Sequence, residues 1–283
     1  MAEYPYYYMR FPGGKGKAIT LSYDDGVEQD IQLIRLMERY GFKGTFNLNS
    51  GRFAPEDKVY EAGRILRRLS LSKIKEVFSS ENVEVACHGF NHLRLERLQG
   101  ADAINEVIQD RIALESIFGR MIPGMAYAYG TYNDQSVEVL KYAGIRYART
   151  VESTEKFEIP SDWLRMPATC HHKNPRLMEL AEKFRDMEIT AYPKLFYLWG
   201  HSYEFERDDN WNVIELFFGK MQNLPDVWYA TNIEICDYVH SFERLEFAMD
   251  NRFVHNPTAT EIWIAQRDEE AICIPAGETV QLY

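Results

Sequence analysis

Ile19-Thr20-Leu21-Ser22-Tyr23-Asp24-Asp25-Gly26 is a short apolar run that ends abruptly in two adjacent carboxylates and a glycine. The run reads as a strand, and a strand with that ending aims two acids out of a sheet. Over residues 28–40 the apolar Ile31, Ile34, Leu36 and Met37 recur close to helical spacing, and Gly41 is a natural stop. Residues 44–48, Gly-Thr-Phe-Asn-Leu, form the next strand. Strand, helix, strand is a βαβ unit, which makes the two strands parallel and the crossover right-handed.

The alternation continues outward from that unit. Further helices are predicted over 72–79, 101–118, 134–142, 175–187 and 213–221, and strands over 83–87, 125–129, 147–150, 194–199 and 228–231. Such a pattern builds either a parallel α/β barrel or a doubly wound sheet. Asp24 and Asp25, His88, Tyr129 and His201 all fall at the C-terminal ends of strands. In an open sheet those ends would be strung along an edge, whereas in a barrel they converge on one face. The expected fold is therefore α/β, a distorted (β/α) barrel over 1–243. Beyond Arg244, residues 261–265, 271–275 and 279–282 alternate apolar and polar around turns at Asp268-Glu269 and Ala276-Gly277. They predict a small antiparallel β appendage over 244–283 that caps the domain or an interface, or binds sugar.

Composition narrows the function. A net charge of −11 on 283 residues argues against nucleic acid and against anionic membranes. Cys87, Cys170, Cys236 and Cys273 show no CxxC spacing and read as buried thiols. No basic n-region with an apolar h-region opens the chain, and no stretch reaches the ~20 apolar residues of a membrane span. A cytoplasmic enzyme is expected, which puts a cell-wall polymer out of reach. A homo-oligomer is compatible with the sequence.

Two adjacent carboxylates repel one another, and a nearby cation relieves the strain. His88 and His92 open directly after a strand at i, i+4 spacing around a Gly-Phe-Asn turn. An aspartate with two imidazoles and an open water position suits Zn2+, with Co2+, Ni2+, Fe2+ and Mn2+ as alternatives. The remaining aspartate and the late His201 then supply a base and an acid, a set for metal-assisted hydrolysis.

In this order the residues resemble the polysaccharide deacetylase family, the NodB-homology or carbohydrate esterase 4 enzymes. Ser22-Tyr23-Asp24-Asp25-Gly26 is similar to the family's Thr-Phe-Asp-Asp-Gly, and His88-Gly89-Phe90-Asn91-His92 to its His-Ser/Thr-x-x-His. Ala126-Tyr127-Ala128-Tyr129-Gly130 resembles Arg-x-Pro-Tyr-Gly, Asp162-Trp163 the fourth motif, and the apolar segment ending at His201 the fifth. The resemblance implies the NodB-type barrel, with Asp24 as general base and Asp25, His88 and His92 as metal ligands. It also implies a Tyr129 N–H in the oxyanion hole, Asp162 orienting His201, and His201 as general acid. Tyr127, Trp163 and Trp199 are candidates for an aromatic wall against a sugar face and the acetyl methyl.

The chain departs from the pattern where the third-motif arginine falls on Ala126 and the proline on Ala128. Arg165 is the candidate to supply that charge. Adjacent His171 and His172 read as structural or exposed loop residues. The acidic, aromatic Tyr203-Glu204-Phe205-Glu206 points to a neutral or cationic ligand. The expected activity is removal of acetyl groups from an N-acetylated sugar or oligosaccharide. The alternatives are an O-acetyl esterase or amidase on a non-sugar, or a carbohydrate-binding barrel without turnover.

Overall fold

The computed structural model describes residues 6–283. After β1 (Tyr8–Arg10), the chain runs β2 (Lys17–Asp24), α1 (Gln29–Tyr40), β3 (Gly44–Leu48), α2 (Leu71–Val77), β4 (Val83–Cys87), α3 (Gly100–Phe118) and β5 (Gly124–Ala126). It continues with α4 (Asp134–Tyr142), β6 (Tyr147–Ser153), β7 (Met166–Ala168), β8 (Cys170–His171), α5 (Leu177–Arg185) and β9 (Lys194–Gly200). Then come α6 (Tyr203–Arg207), α7 (Trp211–Met221), β10 (Val227–Tyr229) and α8 (Asn232–Phe242).

β2 to β10 form one nine-stranded sheet in the order β7-β6-β5-β4-β3-β2-β9-β8, with β10 beside β2. Every pairing is parallel. Closure comes from one stretch of chain. Met166 and Ala168 pair with Arg149 and Ser153 of β6, and Cys170 and His171 then pair with Leu198 and Trp199 of β9. The two ends of the sheet meet there, giving the distorted (β/α) barrel.

The two-residue period of a strand sorts β2 into two faces. Ile19, Leu21 and Tyr23 share a core with Leu33, Leu36 and Met37 of α1. Thr20, Ser22 and Asp24 turn instead to a polar interior. There Thr20 donates to Asn232 Oδ1 (2.8 Å), Asn232 donates to the Tyr197 hydroxyl (2.7 Å), and Asn47 donates to Ser22 Oγ (2.8 Å). Buried Glu84 accepts from Thr45 (2.7 Å), the Tyr147 hydroxyl (2.6 Å) and the Ile233 N–H (2.9 Å), pinning the start of α8 to the barrel. A barrel lined this way leads from a hydrogen-bonded floor up to the carboxylate of Asp24.

β11 (Glu246–Phe247), β12 (Phe253–His255), β13 (Ile262–Ala265), β14 (Ile272–Ile274) and β15 (Thr279–Gln281) are antiparallel. They make two three-stranded sheets, and β1 from the start of the chain completes one of them by pairing with β13. The appendage thus recruits Tyr8–Arg10, so the expected boundary at residue 244 does not separate everything before it from the C-terminal strands. Ile262, Ile264 and Ile274 share a core with Ala18, Tyr147 and Leu195, near the starts of barrel strands and away from the ends that carry Asp24 and His88. No helix among the described residues is long and apolar enough to cross a membrane.

Candidate active site

The C-terminal strand ends open into a cavity of about 590 Å³ that Asp24, Asp25, His88, His92, Tyr129 and His201 all line. Successive strand residues point to opposite faces, so two adjacent aspartates share a cavity only if the backbone turns between them. It does: Asp25 has φ 89°, in the left-handed region that disfavours any residue but glycine. His92 (φ 59°) and Tyr129 (φ 60°) share this conformation. Strained non-glycine residues gather where packing over-determines them and where function needs them.

Asp25, His88 and His92 offer ligand atoms that lie within 4.8 Å of one another. His88 Nδ1 is 2.9 Å from the Ala126 carbonyl, which fixes that nitrogen as the donor and leaves the Nε2 lone pair for a metal. Burial lowers the pKa of His88, and burial together with the neighbouring His88 brings His92 down to about 4. Both rings are therefore neutral at pH 7, the form that coordinates a metal. Arg68 donates to Asp25 Oδ1 (2.8 Å) and to its carbonyl (2.7 Å), while Asp25 Oδ2 makes no hydrogen bond among the described residues. One free carboxylate oxygen and two neutral imidazoles fit a divalent cation.

Asp24 is buried, and its environment is of the opposite kind. Both its oxygens accept from Arg149, and Asn47 donates to Oδ1 (2.8 Å). Burial alone would raise the Asp24 carboxyl, but the Arg149 guanidinium with His88 and His201 outweighs it and holds the group well below the usual carboxylate range. Arg149 is fully buried, its guanidinium 4.5 Å from the centre of the Trp199 ring. In the β5–β6 pairing Arg149 lies opposite Ala126. The charge missing at Ala126 thus arrives from the next strand at the same level. Arg165 does not supply it, because its guanidinium is engaged at the surface by Asp162 (2.8 Å) and Asp134 (2.6 Å).

His201 Nε2 stands 3.8 Å from Asp24 Oδ2, and its Nδ1 faces Glu204 Oε2 at 3.4 Å. The carboxylate that faces His201 is therefore Glu204, in the first turn of α6, whereas Asp162 caps the Leu164 N–H and pairs with Arg165. The same Glu204 oxygen lies 3.1 Å from His171 Nε2 and 3.3 Å from His172 Nε2. Burial would raise the Glu204 carboxyl, but the three imidazoles take it far below its ordinary value. Burial would lower His201, yet Glu204, Asp24 and Asp25 outweigh it and raise its pKa. His171 and His172 thus face this carboxylate, the structural one of the two roles expected for them.

Of the expected aromatic wall, Trp199 and Tyr127 line the cavity, and the Tyr127 hydroxyl is anchored on the Leu164 carbonyl (2.8 Å). Trp163 is not brought there; it packs in the core beside His240, ring centres 5.4 Å apart. Arg149, Arg68 and Glu204 were missed in the sequence. Glu204 had a signal, since it lies only three residues beyond His201. Arg149 and Arg68 had none, because strand register and a distant loop bring them in.

The sequence model of the polysaccharide deacetylase family matches residues 11–148. No curated protein matches the chain. Among solved structures, a Mycobacterium smegmatis protein assigned to the polysaccharide deacetylases shares the fold: 15% identity over 84% of this chain and 95% of its own, TM-score 0.56. A Streptococcus pyogenes deacetylase solved with acetate aligns at 20% identity over 47% of this chain and 55% of its own length, TM-score 0.40. A family 4 carbohydrate esterase from Streptomyces lividans, also with acetate, aligns at 12% identity over 75% of this chain and 91% of its own, TM-score 0.47. The matched segment carries both aspartates, both histidines of the triad and the turn at Tyr129, on the barrel those residues need, and over that segment the chain is similar to the polysaccharide deacetylase family.

Proposed function

We propose that the protein is a divalent-metal-dependent deacetylase that hydrolyses the acetyl amide of an N-acetylated sugar. The observation that carries the reading is the division of labour between two adjacent carboxylates. Asp25 has an uncommitted oxygen beside two neutral imidazoles, while Asp24 is held ionised by Arg149 and faces His201. Asp25, His88 and His92 would hold the cation, with Zn2+ suited to the donor set. When bound, such a cation polarises an acyl carbonyl and acidifies water.

The chain's own groups supply the rest. Asp24 accepts the proton of the attacking water, and Arg149 keeps it available for that task at neutral pH. His201 carries a proton on Nε2 toward the scissile bond and delivers it to the departing nitrogen. An amine leaves far less readily than an alcohol unless it is protonated, so the raised pKa of His201 favours amide over ester. The Tyr129 N–H would help form the oxyanion hole, and Trp199 with Tyr127 forms the wall for the acetyl group and sugar face. The sequence feature behind a barrel without turnover was the empty position at Ala126, and Arg149 removes its force.

The test is acetate release from N-acetylated sugars by protein loaded with zinc or cobalt, beside Asp24→Asn. Release by the wild type, lost in a variant that still binds metal, is the expected result. Release that survives Asp24→Asn, or no metal uptake at all, sinks the reading.

A further inference from the structure

We propose that the mouth of this cavity contains an anion subsite, formed by Arg52 and Arg64, which selects an acetylated substrate bearing a carboxylate or phosphate group. The inference rests on the deacetylase reading above. The chain is acidic overall, with 43 Asp and Glu against 32 Lys and Arg, so a guanidinium at its surface readily finds a carboxylate. The loop between β3 and α2 carries four arginines, and the structure splits them evenly. Arg67 is paired with Glu28 and Glu206, and Arg68 with Asp25. Arg52 and Arg64 both line the cavity, and neither has an acidic partner among the described residues. Arg64 Nε donates only to the Leu66 carbonyl (3.3 Å).

Nothing in the cavity wall cancels those two charges. Its only carboxylates are Asp24 and Asp25, and each already has its own arginine, Arg149 and Arg68. The glutamates that pointed to a neutral or cationic ligand face elsewhere. Glu204 is turned onto the three histidines, and Glu206 accepts from Gln29 (2.7 Å) and Arg67 (2.7 Å). Only Tyr203 of that segment reaches the cavity. A cation held by the triad would add further positive charge, and clefts lined by one sign concentrate ligands of the other.

The loop is built to hold the two arginines in place. Leu69 N–H donates to the Gly26 carbonyl (3.0 Å), Glu28 N–H to the Arg67 carbonyl (2.8 Å), and Ala54 N–H to the Leu69 carbonyl (2.9 Å). At the other end Gly51 N–H donates to the Phe90 carbonyl (3.0 Å), and a Cβ on Gly51 would meet that oxygen at 2.6 Å. The glycine lets the segment bearing Arg52 lie directly against the His88–His92 turn. Both arginines thus line the cavity from a loop tethered on either side of them, and a guanidinium suits the charge-assisted, forked hydrogen bonds that carboxylate and phosphate accept.

The experiment compares N-acetylglucosamine, its 6-phosphate and its 6-carboxylate (the uronic acid) as substrates of the zinc-loaded protein at low salt. The expected result is a kcat/KM at least about ten-fold higher for a charged sugar, the yield of one charged hydrogen bond. The preference declines as salt screens it and falls to about one in Arg52→Gln/Arg64→Gln. Preference for the phosphate or for the carboxylate alone identifies which anion the subsite takes. If none of the three releases acetate, the deacetylase reading fails by itself, and calorimetric binding of the same sugars to wild type and double variant decides the subsite separately. Equal treatment of charged and neutral sugars, a preference that survives in the double variant, or no binding of any of them overturns the proposal. Both side chains are exposed, and an unchanged melting temperature in the double variant confirms that it folds.

Discussion

Arg149→Met removes the one guanidinium against Asp24 and leaves its carboxylate in the barrel with only the imidazoles of His88 and His201 to offset burial. The chain itself shows what burial then does to an aspartate. Asp30 accepts hydrogen bonds from Ser202 Oγ (2.6 Å) and the Val27 N–H (2.8 Å) but faces no cation, and burial pushes it up to about 7. Asp110, buried and hydrogen-bonded to Ser50 and His88, likewise sits at about 7. From an ordinary 3.8 to about 7 is about three pKa steps, or about 4 kcal/mol. That agrees with the roughly 3–5 kcal/mol for breaking a buried ion pair. The sign reverses between the two proteins. In the wild type the depressed Asp24 contributes stability above its unfolded pKa that is lost only in strong acid. In the variant the raised Asp24 contributes stability at low pH that is lost as the pH climbs through its new, higher pKa. The variant should therefore be about 3–5 kcal/mol less stable by urea unfolding at pH 8, with a smaller deficit at pH 4.5. The acid limb of kcat/KM for acetate release should move up in pH, because the base now has to be deprotonated. Arg149→Ala combined with Ala126→Arg should recover part of both losses, since register partners on parallel strands sit only about 4.8 Å apart. An unmoved acid limb with a loss under about 1 kcal/mol would refute the assignment of Arg149 as the charge that holds Asp24 ionised.

Other consequences follow at separate sites. Glu204→Gln removes the carboxylate that raises His201, so the basic limb of kcat/KM should shift to lower pH while bound metal stays; an unchanged basic limb excludes Glu204 as the positioning residue. His88→Ala should lose the metal by elemental analysis, whereas Asp24→Asn should keep it, and loss from Asp24→Asn would exchange the roles of the two aspartates. Glu84, ordinarily near 4.5, is pushed up to about 7 by burial, so its contribution to stability is complete below pH 4.5 and lost as pH rises through 7. Glu84→Gln should flatten that part of the stability curve, by about 3 kcal/mol between pH 5 and pH 8.5. An equally steep curve would place the pH dependence at Asp30 and Asp110 instead.

The features legible in the residues alone were local. An apolar run closing on Asp24-Asp25-Gly26 is a strand end bearing two acids, and His88 and His92 four residues apart across a glycine turn are a candidate ligand pair, because those relations need only neighbouring residues. The alternation of strand and helix periods likewise sufficed for the βα order, and the position of five polar residues at strand ends for a convergent face. Which charges meet depended on how the barrel folds. Arg149 reaches Asp24 because β6 lies beside β5 in a register that sets it against Ala126, and Arg68 reaches Asp25 from a loop 43 residues away. Asp162 and Trp163 carried the right residue types, yet the chain turns Asp162 to Arg165 and Trp163 into the core. Glu204 and Glu206 look alike in sequence, and folding buries one on three histidines and pairs the other with Arg67. Side-chain partnership is a property of distance and of the dielectric around a pair, and both are set when strands distant in sequence close into one barrel.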